Sequence, residues 1–493
     1  MDPLILAIDQ GTTSTRAIVF DLAWKPRALR QIELKQHYPK PGWVEHDAEE
    51  IWRATLQTCR EAIRDVGGPE AIAAIGITNQ RETTVLWERD TGLPLHRAVV
   101  WQDRRTAAVT DAIRARGLEE AIQGRTGLVL DPYFSATKIA WLLDAVPDAR
   151  FRAERGELCG GTIDAFLIHR LTGGVSFATD VTNASRTSLL DLYDKDWDDG
   201  LIELFGATRA VLPDIRPSAG HFGSTAETLF GKAIEITGVA GDQQAALVGH
   251  AALHPGDVKV TYGTGAFLVI NVGDKPRTSE NKLLATIAYQ TAEGRAFALE
   301  GSIFSAGSTV QWLRDGLGLI EESRQSEALA LSLPDNGGVY LVPGFTGLGA
   351  PWWNADARGA IVGLTRDTSR AHLVRAGLEA LAYQTADLLE ALAADGAPKP
   401  SVLKVDGGVT ANGWAMQFLA DITGVPVERP AFQEMTALGA ARLAALGAGL
   451  IDSLDVRPSA PPARWEPAMA DDERQRLLAG WKAAVRGVLA AAG

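Results

Sequence analysis

The 493-residue chain has only two cysteines, Cys59 and Cys159, and neither stands in a CxxC or CxxH pair. That excludes the common zinc sites, and one disulfide would be unusual in a chain of this length. Both are read as free thiols, buried like small hydrophobes, in a reducing cytoplasm. Basic residues are also short. The 48 Lys and Arg are outnumbered by 61 Asp and Glu, for a net charge of −13. That sign suits neither a nucleic-acid partner nor an anionic membrane surface. No run of about 18 apolar residues is present, so no segment is expected to span a bilayer. The first apolar run follows Asp2 rather than a basic stretch, and reads as a strand, not a signal peptide. Three well-known signatures are missing too: the P-loop, a strand-linked GxGxxG, and HExxH.

What remains is ordinary globular composition, 46% apolar and 22% charged. Disorder would need less of the first and more net charge. At roughly 100–200 residues per domain the length predicts two or more domains. Residues 4–8 and 17–20 read as strands around a polar turn, DQGTTST, and the plan returns at 258–273 in VKVTYGTGAFLVINVG. The separation is about half the chain, and the boundary between two halves, 1–250 and 251–493, is placed there. Further strands are expected at 72–78, 83–87, 97–101, 236–240 and 402–406, and helices at 49–66, 369–394 and 412–423. The Pro-rich stretch near 458–467 reads as a loop before a final helix.

The two turns carry the first chemistry. Gln10-Gly11-Thr12-Thr13 and Gly263-Thr264-Gly265 offer backbone N–H groups and hydroxyls to an anion, and glycine lets a ligand approach the main chain. Asp9 beside the first turn either caps that turn or faces a phosphate through a magnesium ion, which binds through few carboxylates, water and phosphates. Arg81-Glu82 follows a strand, as a solvated pair or as donor and acceptor for a polyol. Trp101 and Tyr133 are aromatic surfaces for packing or for the C–H face of a small polyol. Asp242 ends a strand at a helix start, as an N-cap or as a general base.

Nine segments read together carry a resemblance: DQGTTSTRA, GWVEHD, GITNQRETT, VVWQDRRT, AGDQQAALVG, TYGTGAFL, TGLGAPWW, ARGAIVGLTR and VDGGVTAN. In this order, from residue 4 to about 450, they resemble the FGGY carbohydrate kinase family, of the actin-like ATPase fold, and within it the members that phosphorylate glycerol. The resemblance implies an α/β protein of two actin-like, RNase H-like lobes, each around a five-stranded mixed sheet, with the active site in the cleft between them. It implies transfer of the ATP γ-phosphate to a terminal hydroxyl of glycerol, with Mg2+ and release of ADP, in a cytoplasmic homodimer or homotetramer.

By the same resemblance Arg81, Glu82, Tyr133, Asp242 and Gln243 belong to the glycerol site, with Trp101 and Phe267 walling its carbons. Asp242 is the expected base, and Asp9 and Asp242 flank the magnesium. Gly11, Thr12, Thr13, Arg16, Thr264 and Gly265 surround the phosphates. Gly307, Gln311, Gly408 and Asn412 hold the nucleoside. Two regulatory segments of relatives do not match. Ala233 stands where a fructose 1,6-bisphosphate-binding arginine is expected, and 226–231 holds no histidine for phosphorylation. A pentulose kinase and an ATP-driven switch of the same fold remain alternatives; the second would need no polyol residues between its turns.

Overall fold

The computed structural model describes residues 2–194, 196–354, 356–456 and 460–492. The opening apolar run is strand β1 (Leu4–Gln10), covered on both faces. Its side chains alternate between two cores, as a pleated strand requires. Leu6 and Ile8 cluster with Ile51, Cys59 and Ile63 of helix α1 (Ala48–Asp65); Ile5 and Ala7 cluster with Leu438 and Ala441 on the opposite face. Two covered faces explain a continuous apolar run rather than an alternating one. α1 starts at Asp47, whose carboxylate accepts from the N–H groups of Glu49 and Glu50 at 2.9 and 3.3 Å. These are donors that the first turn of a helix leaves unpaired.

β1 pairs antiparallel with β2 (Ser14–Phe20), and β2 antiparallel with β3 (Pro26–Glu33). On the other side of β1 lies parallel β4 (Ile72–Asn79). Strands β5 (Ala219–Ser224) and β6 (Glu235–Gly241) complete the sheet, β6 parallel to β4 and β5 antiparallel at the edge. The second sheet repeats the plan. β7 (Val258–Tyr262) is antiparallel to β8 (Ala266–Gly273). β9 (Leu284–Thr291) and β10 (Gly294–Ile303) follow as a hairpin, with β10 antiparallel to β8. β11 (Leu403–Asp406) is parallel to β7, and β12 (Val427–Arg429) parallel to β11. The strands β1, β2, β3, β4 and β6 therefore match β7, β8, β10, β11 and β12 in neighbour and direction.

Several expectations change. The sheets have six and seven strands rather than five, because β5 and β9 extend their edges and β13 (Ala463–Trp465) pairs outside β12. β13 lies within the stretch read as a loop; a three-residue edge strand is too short to show alternation, and Pro458 and Ser459 of that stretch fall outside the described residues. In 97–101 only Ala98–Val99 pairs as strand, and Trp101 already lies in the turn beyond.

The halves are not cleanly separated in sequence. β6 runs into helix α2 (Asp242–Gly249), and helix α3 (Arg370–Ala394) carries the longest apolar stripe of the second half. Helix α4 (Gly413–Thr423) ends on left-handed Gly424, as expected. Helix α5 (Met435–Gly447) then returns to cover β1, β4 and β6 of the first sheet. The approach is close enough to need glycine. A Cβ on Gly76 would stand 2.2 Å from the Ala440 carbonyl oxygen, and one on Gly439 would stand 1.7 Å from that of Ala245 in α2. Gly439→Ala is expected to destabilise the fold by about 1–3 kcal/mol through overpacking. Calorimetric melting checks this; an unchanged Tm would mean that α5 can move away freely. Among the described residues no helix is long and apolar enough to cross a membrane.

Candidate active site in the cleft

The two Gly/Thr turns close the β1–β2 and β7–β8 hairpins. In the first, the Gly11 N–H is taken by the Ser14 carbonyl at 2.9 Å, while the N–H groups of Thr12 and Thr13 have no partner among the described residues. In the second, the Thr264 carbonyl accepts from Ala306 and Ser308 N–H at 2.9 and 3.1 Å, and the Gly263 carbonyl from Gly307 N–H at 2.9 Å. Gly265 has no room for a side chain: a Cβ would lie 2.6 Å from the Ile303 carbonyl oxygen.

Trp101 joins the turns. Its Nε1 donates to Thr12 Oγ1 at 2.9 Å, and its ring centroid lies 6.4 Å from Phe267, two residues past Gly265. Tyr133 stands edge-on to Trp101 at 5.5 Å. The Arg81 guanidinium lies 5.8 Å from the Phe267 centroid, and its Nη2 donates to the Tyr133 hydroxyl at 3.3 Å. An aromatic box with one charged wall results.

Arg81 and Glu82 are buried, which removes the solvated-pair reading. Arg81 has a left-handed backbone, φ 39°, a strained conformation for a long side chain. Its side chain crosses Gly241, where a Cβ would meet Arg81 Cγ at 2.6 Å. The glycine before Asp242 is therefore required by the arginine.

Asp242 is the first residue of α2; the N-cap is Gly241, so the carboxylate does not cap the helix. Its Oδ1 lies 3.2 Å from Arg81 Nε and accepts from Gln243 N–H at 2.7 Å. With 31% of its side chain exposed, the carboxylate opens into the cleft. Removal from bulk water raises its pKa, and Arg81 opposes the rise. Gln243 is held by Lys259 Nζ from the second sheet.

Asp9 does not cap its turn. It is buried, and burial lifts its pKa to about 6; Arg16 opposes this, while Glu434 and Asp242 add to it. Arg16 Nη1 lies 3.4 Å from Asp9 and 2.9 Å from Glu434, so it is paired across the two halves rather than free in the cleft. No cluster of three or more metal-ligating side chains exists among the described residues. Asp9 and Asp242 fit the sparser donor set of magnesium, one or two carboxylates with water and phosphates. The charge of Asp242 adds to the cost of ionising Asp9, which favours a cation near the pair.

Beside the second turn lies a cavity of about 490 Å³, lined by Thr264, Gly307, Gln311, Gly408 and Asn412 among others. Every residue expected at the nucleoside is in its wall; of the phosphate residues Thr264 lines it and Gly265 does not. Asn412 has a second duty, since its Oδ1 accepts from Ala415 N–H at 2.9 Å to cap α4. Cys59 and Cys159 are buried free thiols, pushed up to about 12 by burial.

Sequence reasoning missed Arg186, Lys259 and Glu300, all fully buried at the site. Their signal was a lone charge inside apolar or hydroxyl-rich runs, as in VKVTY and FALEGSIF.

The model for the FGGY family of carbohydrate kinases, N-terminal domain, matches residues 4–249, and that for its C-terminal domain matches 258–448. The chain belongs to this family. Among curated FGGY kinases it is 56% identical to glycerol kinase of Rhodospirillum centenum over 487 residues, 98% of each chain. It is also 56% identical to glycerol kinase of Alcanivorax borkumensis over 491 residues, 99% of this chain and 98% of that one. The crystal structure of Plasmodium falciparum glycerol kinase with ADP superposes with a TM-score of 0.93 at 38% identity, covering 99% of this chain and 98% of that one.

Proposed function

We propose that this FGGY kinase transfers the γ-phosphate of ATP to a terminal hydroxyl of glycerol, giving sn-glycerol 3-phosphate and ADP. The observation that carries the reading is Trp101, bonded to Thr12 of one phosphate turn and facing Phe267 beside the other. Aromatic walls between the two Gly/Thr turns suit a small polyol held next to a phosphate chain. The 56% identity to glycerol kinases over nearly the whole chain supports the choice of acceptor.

In this reading the first half, 1–250, supplies most of the acceptor site and the second, 251–493, the nucleotide site. Arg81 donates to glycerol hydroxyls, Glu82 and Asp242 accept from them, and Tyr133, Trp101 and Phe267 pack against its carbons. Gln243 supports Asp242. Asp242 takes the proton of the attacking hydroxyl as that oxygen bonds to the γ-phosphorus and the bond to the β-phosphate oxygen breaks. Gly11, Thr12 and Thr13, with Thr264 and Gly265, cradle the phosphates; Arg16 can reach them on leaving Glu434. Gly307, Gln311, Gly408 and Asn412 hold the nucleoside. Asp9, with Asp242, would hold Mg2+, which when bound neutralises phosphate charge. Phosphoryl transfer asks for this positioning and charge stabilisation more than for covalent chemistry. Closing the box also excludes water, the competing acceptor. A cytoplasmic homodimer or homotetramer belongs to the same reading.

A coupled ADP-release assay across glycerol, dihydroxyacetone and several pentuloses tests it. The highest kcat/KM is expected for glycerol. A higher value for a ketose would reassign the acceptor, and ATP binding without polyol-dependent turnover would make the protein a switch.

A further inference from the structure

Behind the acceptor box lie four ionisable side chains that are at most 2% exposed: Arg81, Glu82, Arg186 and Glu300. They come from different parts of the chain. Arg81 and Glu82 follow β4 in the first sheet, Arg186 follows the short helix Val181–Ala184, and Glu300 stands in β10 of the second sheet. Glu300 grips both terminal nitrogens of Arg81, Oε2 at 2.5 Å from Nη1 and Oε1 at 3.1 Å from Nη2. Paired contacts of this kind fix a guanidinium in plane as well as in place. The same Oε1 accepts from Arg186 Nη2 at 3.2 Å, and Arg186 Nε donates to Glu82 Oε1 at 2.7 Å. Arg186 also lies against the rings of Tyr133 and Phe134, at 5.7 and 5.2 Å.

This arrangement leaves a particular set of groups for a ligand. Both guanidinium contacts of Glu82 fall on Oε1, so Oε2 has no hydrogen bond among the described residues. Glu300 takes the terminal nitrogens of Arg81, while Nε faces Asp242 and Nη2 also reaches Tyr133. A buried ion network is not needed for stability alone, because well-packed apolar residues of similar volume often stabilise as well or better. The network's geometry is instead directed at the two side chains that face the acceptor.

We propose that Glu300 and Arg186 are positioning residues of the acceptor site, setting the KM and selectivity for the polyol by fixing Arg81 and Glu82 across the two halves. This rests on the proposed function. Neither residue lines the cavity beside the second turn, so nucleotide affinity is expected to be independent of them.

The test uses the full-length enzyme and three variants: Glu300→Gln, Glu300→Asp and the charge-balanced Glu300→Gln/Arg186→Gln. Each is measured for glycerol KM, kcat, the glycerol-to-dihydroxyacetone ratio of kcat/KM, and ADP affinity by calorimetry. Loss of a charge-assisted contact predicts a glycerol KM raised roughly 10- to 100-fold in Glu300→Gln. The ratio should shift, ADP affinity should stay within about twofold, and Glu300→Asp should recover part of the loss. The double variant keeps the test open if the single one misfolds. Glycerol KM and selectivity like wild type in a folded variant would overturn the proposal. So would parallel loss of ADP binding in every variant, which would make the role one of folding. Wild-type enzyme without glycerol-dependent ADP release would overturn the proposed function itself, a distinct result.

Discussion

Asp242→Asn is expected to lower kcat by roughly 10²–10⁴-fold, the usual contribution of a general base. The substitution keeps size and keeps an oxygen able to accept from Gln243 N–H, the 2.7 Å contact that orients the side chain. What it removes is basicity. Burial already raises the affinity of Asp242 for a proton, with Arg81 as the opposing charge, so the native group suits accepting one from a hydroxyl. ADP affinity and thermal stability should change little. Steady-state kinetics with calorimetric ADP binding separates the effects, and near-normal kcat would remove Asp242 from the role of base.

Arg81→Met should cost about 3–5 kcal/mol of folding stability, the range for breaking a buried ion pair by deleting one partner. It takes the guanidinium from Asp242 and leaves Arg186 as the one guanidinium on Glu300 and Glu82 among the described residues. Glycerol turnover should fall below detection together with stability. The deficit should depend on pH. The Arg186 and Arg81 guanidiniums hold Glu300 at about 2, down from an ordinary 4.5, against the opposing effect of burial. A carboxyl whose folded pKa is depressed stabilises the fold above its unfolded value and loses that contribution as pH falls through the folded one. The gap between wild type and variant should therefore be widest above pH 4.5 and narrow toward pH 2. Urea titrations at several pH values measure it; a gap independent of pH would mean that Glu300 does not depend on Arg81 for its charge.

Much of the site was legible because its parts are local. A strand that ends in Gln10 or Tyr262 and turns on glycine and threonine looks the same in sequence and in space. Arg81, Trp101, Asp242 and Phe267 were recognisable from their motifs, and the structure brings them within one box. Arg16 was less legible, since its partner Glu434 is 418 residues away. Glu300 and Arg186 were not read at all. A charge inside an apolar strand announces that it needs a partner, but the partner lies on another sheet.

Two hairpins, their repetition at half the chain length, the main helices with the Gly424 end of α4, and the residue types at each turn can be read from the chain without its partners. These follow from side-chain periodicity and from the backbone freedom of glycine, which act over a few residues. It takes the folded chain to show that α5 crosses back to cover the first sheet through glycine contacts, that the sheets have extra edge strands, and that Arg81 is clamped from the opposite half. Those outcomes depend on steric fit and charge pairing between residues far apart in the chain. Periodicity carries no record of such pairings, because a glycine or a buried charge is defined by the neighbour it meets after folding.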